Sequence, residues 1–309
     1  MAQTTQAIGP GPHVCFSWGL SGQVESTIGA LNAPSVHLAY GAEGGIQKKM
    51  VEGLAGNLQI PAVLVSFVYL RGFEQNRHRF RIRHWVMDSG AFSAHNAGTT
   101  IDLQEYIETA QRLLSTDPQL REVYSLDVIG DWRASIKNTR KMIEAGIPAI
   151  PCYHVDEPED VLIGMAKEFP KIALGGVALF RSKQKLEWAK QCFARVWPKK
   201  IHGFAFASKR ALLALPWHSV DSTTWESGPC RFGNWLKYGK MSVKGSNQNL
   251  KAEVAHYLEA ERLARHRWRK EMELLESEGN PHVHFATGSG RMGVFEDEGG
   301  DDGDRAENR

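Results

Sequence analysis

Short apolar runs rich in β-branched residues recur along the chain and alternate with stretches whose apolar positions fall at helical spacing. The runs predict strands at Val36–Tyr40, Ala62–Leu70, Trp85–Asp88, Val123–Val128, Ala149–Tyr153, Ile172–Gly175, Gly203–Ala207 and Ser219–Asp221. Helices are expected between them at Ile46–Leu54, Leu103–Leu114, Trp132–Ala145, Pro158–Phe169, Lys183–Val196 and Lys209–Leu213. Strands that read as continuous apolar runs and are joined by helices belong to a parallel sheet. Eight of them in succession predict an α/β fold of the (β/α)8 type, a TIM-like barrel, with an open doubly wound sheet as the alternative.

The N-terminal third is the irregular part. Where a helix is due, Arg71–Arg83 (RGFEQNRHRFRIR) alternates charge with apolar residues in the manner of a strand or hairpin. Beyond the last strand lies a Gly-rich, aromatic and basic stretch, followed by Leu250–Glu278, which is free of Gly and Pro and predicts a long helix. Four segments result: a disordered terminus over 1–12, a barrel over 13–224, a basic and aromatic insertion with its helix over 225–279, and an acidic disordered tail over 280–309.

Composition narrows the class of molecule. With 42% hydrophobic residues in 309, a substantial core is available, and fibrous or wholly disordered states are excluded. No run is long enough to span a bilayer and the N-terminus has no signal-peptide pattern, so a cytoplasmic protein without membrane contact is expected. The four cysteines, Cys15, Cys152, Cys192 and Cys230, are widely spaced and are expected as reduced thiols. Residues 296–309 carry a net charge of −5, which leaves +7 on the rest of the chain. Such a body permits a polyanionic partner.

Three of the apolar runs end in an aspartate: Asp88 in VMDSG, Asp127 in YSLD and Asp221 in SVDS. Acids at the C-terminal ends of barrel strands face the mouth where barrel active sites lie, so three of them predict one shared pocket. Taken singly, each reads first as a turn or helix cap, and it is the three in one structural position that favour the pocket. Two glycine turns accompany them, Ser89-Gly90-Ala91-Phe92 and Gly175-Gly176-Val177, where backbone can approach a ligand and Phe92 offers a ring for stacking.

The series DSGAFS, SLD, ALGGVA and HSVDS, from about Trp85 to Asp221, resembles the tRNA-guanine transglycosylases, and most of all their phage relatives, the DpdA-type 7-deazaguanine DNA transglycosylases. The resemblance implies a (β/α)8 barrel that exchanges guanine in a nucleic acid for a 7-deazaguanine base. By motif it assigns Asp221 as nucleophile and Asp88 as general acid/base. Asp127, Ser89, Phe92, Gly175, Gly176 and Val177 become base-binding residues, with His154 a further candidate at its strand end.

Those chemistries suit the residue types. Replacing a base at C1′ with retention calls for two displacements, for which a carboxylate nucleophile and a glycosyl-ester intermediate are suited. The departing guanine needs a proton and the incoming base must lose one. An ionised carboxylate accepts from the N1–H and 2-amino edge that adenine lacks.

Arg231, Trp235, Lys237, Tyr238 and Lys240, together with Arg77 and Arg79, are the candidate nucleic-acid contacts; the basic run Arg262–Lys270 is either a further contact or a solvated face. The transfer-RNA enzymes carry a zinc site of several cysteines and a histidine after the last strand. Here only Cys230 lies in that region, so no metal and no cofactor are expected beyond a preQ0- or preQ1-type base as co-substrate. DNA is therefore the expected partner. The alternatives are a tRNA-guanine transglycosylase and a non-catalytic single-strand nucleic-acid-binding protein.

Overall fold

The computed structural model describes the backbone of residues 13–18, 62–76, 84–222, 235–236, 239–240 and 247–277, with side chains over 62–75, 84–221 and 257–274. Nine strands form one sheet: β1 (His13–Trp18), β2 (Ala62–Ser66), β3 (His84–Asp88), β4 (Leu120–Tyr124), β5 (Ala149–Ile150), β6 (Cys152–His154), β7 (Lys171–Gly175), β8 (Lys200–Gly203) and β9 (Ser219–Ser222). Their spatial order is β5-β4-β3-β2-β1-β9-β8-β7-β6, and every neighbouring pair is parallel. The two ends of that order are adjacent in the chain. Only Pro151, which has no N–H to give a ladder, separates β5 on β4 from β6 on β7.

The helices are α1 (Leu70–Asn76), α2 (Ala91–Asn96), α3 (Leu103–Thr116), α4 (Trp132–Glu144), α5 (Glu159–Glu168), α6 (Ser182–Val196), α7 (Lys209–Ala214), α8 (Asn247–Arg267) and α9 (Arg269–Ser277). Three of the connecting helices start on polar caps. Asp102 accepts from the Glu105 N–H at 2.8 Å, Asp131 from Ala134 at 3.0 Å and Ser208 from Ala211 at 3.2 Å.

Period-two alternation sorts each strand between two faces. Val63, Val65, Trp85, Met87, Val123, Ile172, Leu174, Ile201 and Val220 pack against Tyr106, Ile107, Met142, Leu162, Phe193 and Leu212 of the helices. The opposite face carries Ala62, Leu64, Val86, Tyr124, Ile150, Cys152 and Ala173, which cluster with one another and with Phe204 and, among the described residues, with no helix. That helix-free face also bears the polar residues Glu122, Lys171, His202 and Ser219.

Some expectations are corrected. Residues 67–69 form a 3-10 turn and α1 follows, so the strand expected over Ala62–Leu70 ends at Ser66 and the hairpin expected from Arg71 begins as a helix. Burial of Leu70 and Phe73 on one side drives this turn of helix into the core, with Phe73 tilted against Trp85 at 4.9 Å between ring centres. β1 joins β2 to β9, where no strand was expected. β4 and β8 each begin three residues earlier than predicted. Val36–Tyr40, Ile46–Leu54 and both termini lie outside the described residues. The helical C-terminal extension is present as α8 and α9, anchored by Trp268, whose indole N–H donates to the Leu212 carbonyl at 3.0 Å. Among the described residues, no helix is long and apolar enough to cross a membrane.

Candidate active site

The C-terminal ends of the strands hold the predicted acids. Asp88 closes β3 and stands in register with Ser66 at the end of β2. Asp127 lies just beyond β4, His154 closes β6 opposite Gly175 of β7, and Asp221 lies within β9. Burial and, after it, the charges of Asp127 and Asp221 push the Asp88 carboxyl up from 3.8 to about 7, against the pull of the Gly90 and Ser89 N–H groups. Asp88 and Asp127 also act on Tyr106, and all three aspartates on Cys152. Burial first, then nearby aspartates including Asp88 and Asp127, raise both groups well above their usual range. Three acids distant in sequence thus share one electrostatic environment.

Capping accounts for Asp88 in part, since its Oδ2 accepts the Gly90 N–H at 3.0 Å. It does not account for the other two. Asp221 Oδ1 accepts from the N–H of Ala205, sixteen residues away, at 2.9 Å. Ala205 holds a left-handed φ of 63°, a strained conformation for alanine that aims its N–H at this carboxylate. Asp127 Oδ2 meets His154 Nε2 at 3.2 Å, while its Oδ1 is buried without a hydrogen-bond partner. A buried carboxylate oxygen without a donor is costly. It is an acceptor awaiting an N–H.

Both ring nitrogens of His154 face acids, Nδ1 lying 3.6 Å from Glu157 Oε1. Burial opposes its charge, but the Asp127 hydrogen bond and the charges of Asp127, Glu157 and Asp156 outweigh burial and raise the imidazole above its ordinary value.

Glycine shapes the rim. At Gly90, φ is +76° and an added Cβ would fall 2.4 Å from Ser66 Oγ, so only glycine lets the Asp88 turn close over β2. A Cβ on Gly175 would meet Cys152 Sγ at 2.7 Å, so the bare backbone there accommodates the neighbouring strand's side chain. Gly176 turns with φ +75° beside His154, and Val177 is buried. Ser89 is buried, its Oγ accepting from the Ala91 N–H at 3.3 Å. Phe92, on the first turn of α2, is 53% exposed.

Of the predicted nucleic-acid residues, Trp235 and Lys240 pair across a two-stranded ribbon, β10 (Trp235–Leu236) with β11 (Gly239–Lys240). Arg231, Lys237, Tyr238, Arg77 and Arg79 lie outside the described residues. On α8, Arg262 is paired with Glu259 at 2.7 Å on an exposed face, whereas Arg265 is paired at 3.1 Å with Glu261, which is buried.

Sequence reasoning missed His202. It faces Asp221 with Nε2 3.6 Å from Oδ1, whereas His218, the histidine closer in sequence, is perturbed chiefly by burial and Lys171, which lower it to about 3. Ser66 Oγ, Ser125 Oγ and Glu157 Oε2 are further buried polar atoms without hydrogen-bond partners. Among the described residues, Asp127, Cys152 and His154 form the grouping with donors for a metal, their atoms lying within 4.8 Å of one another. Burial and the surrounding acids keep the Cys152 thiol protonated, which works against that use.

No family model matches the sequence, and no curated protein does. Solved structures give distant likenesses. A protein provisionally designated a fructose-1,6-biphosphate aldolase from Coccidioides immitis is 11% identical with a TM-score of 0.43, over 85% of this chain and 89% of that one. One provisionally designated a dihydrodipicolinate synthetase from Pseudomonas aeruginosa is 11% identical with a TM-score of 0.41, over 87% and 83%. The carboxyl transferase domain of Rhizobium etli pyruvate carboxylase is also 11% identical at 0.41, over 82% of this chain but 48% of its own. At this level likeness settles nothing about substrate or chemistry.

Proposed function

We propose that the chain is a closed (β/α)8 barrel enzyme, a pentosyltransferase that replaces guanine in DNA with a 7-deazaguanine base of the preQ0 or preQ1 type. The observation that carries this reading is Asp88, a carboxyl raised to about 7 by burial and by two further aspartates. A group with that value exchanges protons with a purine near neutral pH, and its neighbours supply a nucleophile and a base-edge acceptor. The two-segment strand at Pro151 and the single helix-covered face support closure of the sheet.

In the first step a carboxylate oxygen of Asp221 bonds to C1′ as the C1′–N9 bond breaks. The bond's electron pair stays with guanine, and Asp88 delivers a proton to the leaving base. A glycosyl ester of Asp221 remains. The incoming 7-deazaguanine then loses its N9 proton to Asp88, and N9 displaces the ester oxygen from C1′, restoring both carboxyl groups. Asp127 Oδ1 accepts from the donor edge shared by outgoing and incoming bases, and His154 holds Asp127 by its other oxygen. Phe92 provides a stacking ring, and the Gly175-Gly176-Val177 backbone lines the base. The target nucleotide is flipped out of its stack, at a cost of about a few kcal/mol that phosphate and stacking contacts offset. Asp221 acts as described without metal or cofactor.

The test is incubation of guanine-containing DNA with labelled preQ0. Wild type transfers label to DNA, Asp221→Ala does not, and a parallel tRNA reaction stays empty. Label in tRNA alone would assign the enzyme to tRNA. No label in either, with tight salt-sensitive DNA binding by both proteins, would favour a non-catalytic binder.

A further inference from the structure

A continuous polar chain crosses the helix-free face of the sheet, where nothing in the proposed reaction yet uses it. Lys171 Nζ donates to both oxygens of Glu122, at 2.6 and 2.7 Å, and to Ser219 Oγ at 3.0 Å. Ser219 Oγ lies 2.8 Å from His202 Nδ1, and His202 Nε2 lies 3.6 Å from Asp221 Oδ1. The members come from four strands, Glu122 from β4, Lys171 from β7, His202 from β8, and Ser219 and Asp221 from β9, and His202 has no exposed surface. Tyr124 and Phe204 hold its ring, with centroids 4.8 and 4.7 Å away, and Tyr124 also contacts Glu122 Oε2 through its hydroxyl at 3.1 Å.

Donor rules set the direction of this chain. An ammonium only donates, so Ser219 Oγ accepts from Lys171; of the two side chains in contact with this hydroxyl, His202, through Nδ1, is the one that can take its hydrogen. A neutral imidazole whose Nδ1 accepts carries its proton on Nε2. The opposite tautomer would set a lone pair against a carboxylate oxygen in a dry interior, which is unfavourable.

We infer that Lys171 and Ser219 are positioning residues that fix His202 as the Nε2–H tautomer and so present a second N–H, beside that of Ala205, to Asp221 Oδ1. The pairing is long in the resting structure. Contacts of this kind commonly tighten when charge develops, and here the carboxylate is regenerated each time the glycosyl ester is displaced. Two donors on one oxygen set the plane of the carboxylate and hold it for attack on the sugar. The kinetic part of this inference rests on the reading of Asp221 as nucleophile; the tautomer does not.

The experiment has two arms. In protein labelled with 15N-histidine, long-range proton–nitrogen correlation gives His202 the Nε2–H pattern in wild type, and Ser219→Ala loses that preference. In DNA base exchange, Ser219→Ala lowers kcat roughly 10- to 100-fold with KM nearly unchanged, as small misplacements of a reacting group do. Ser219→Thr, which keeps the hydroxyl, restores both. A double variant, Lys171→Met with Glu122→Gln, removes the ion pair without stranding a charge and reproduces the Ser219→Ala spectrum. An Nδ1–H signature in wild type would overturn the inference, and so would a Ser219→Ala protein with the wild-type tautomer. Absence of exchange activity with the expected spectra would instead defeat the proposed reaction and leave the tautomer assignment standing.

Discussion

His154 Nε2 contacts Asp127 Oδ2 at 3.2 Å, and this contact leaves the second oxygen of Asp127 buried with no hydrogen-bond partner. The imidazole fixes the orientation of the carboxylate, and the orphaned oxygen defines where a ligand N–H belongs. Asp127→Asn replaces part of that acceptor pair with a donor NH2. We predict that guanine and preQ0 bind the variant about 100-fold more weakly or worse, while adenine binding is not reduced. Equilibrium binding of the three free bases checks this.

Asp88 gives a pH signature. Below about pH 4 its carboxyl is protonated in both the folded and unfolded chain, so it contributes nothing to the balance. From about 4 to 7 the unfolded chain releases the proton while the folded chain keeps it, and stability falls as pH rises through that window. Asp88→Asn removes the penalty. Urea unfolding at about pH 8 is predicted to find the variant more stable by roughly 1–3 kcal/mol, with no difference at about pH 3.5. In the wild-type enzyme, guanine release falls about tenfold per pH unit above about 7, because only protonated Asp88 serves as the acid.

Gly90→Ala tests the turn that carries Asp88. The new Cβ would stand 2.4 Å from Ser66 Oγ and 2.9 Å from Val68 Cγ2, in a left-handed backbone. A loss of roughly 1–3 kcal/mol is expected in thermal or urea unfolding, with loss of activity at temperatures where the variant remains folded.

The strand-end aspartates were legible because each closes an apolar run that forms a strand of the sheet or, for Asp127, continues out of one, so strand direction placed them at one end. His202 was not. The expected strand began at Gly203, whereas β8 is Lys200–Gly203, and a histidine read as a connector became a side chain on the helix-free face. Arg71–Arg83 misled for a different reason. Its basic residues mimic strand alternation, but α1 is set by Leu70 and Phe73 three residues apart, a pattern too short to outweigh the charges. Glu122 and Lys171 look like solvated charges in sequence. They meet because β4 and β7 flank one segment of chain, β4 pairing with β5 and β7 with β6, which makes them a largely buried pair.

That pair governs stability. Lys171→Met leaves the Glu122 carboxylate in the interior without its cation, and a loss of about 3 kcal/mol is expected, the lower end for a buried pair because Glu122 keeps part of its surface. Adding Glu122→Gln recovers most of it. Burial alone would raise the Glu122 carboxyl, but Lys171 outweighs burial and lowers it from 4.5 to about 2. Its stabilising contribution is therefore complete above about 4.5 and disappears as pH falls toward 2. Denaturant titrations of wild type and the two variants across acid pH report this directly.

The most direct measurement of the central claim is covalent capture. Enzyme is mixed with a guanine-containing DNA strand in the absence of any incoming base, quenched in denaturant, and read by intact mass and peptide mapping. The account predicts free guanine and a protein–DNA ester whose sugar is attached to Asp221, formed by wild type and missing from Asp221→Asn. An adduct on another residue, or guanine released by Asp221→Asn at the wild-type rate, would contradict it.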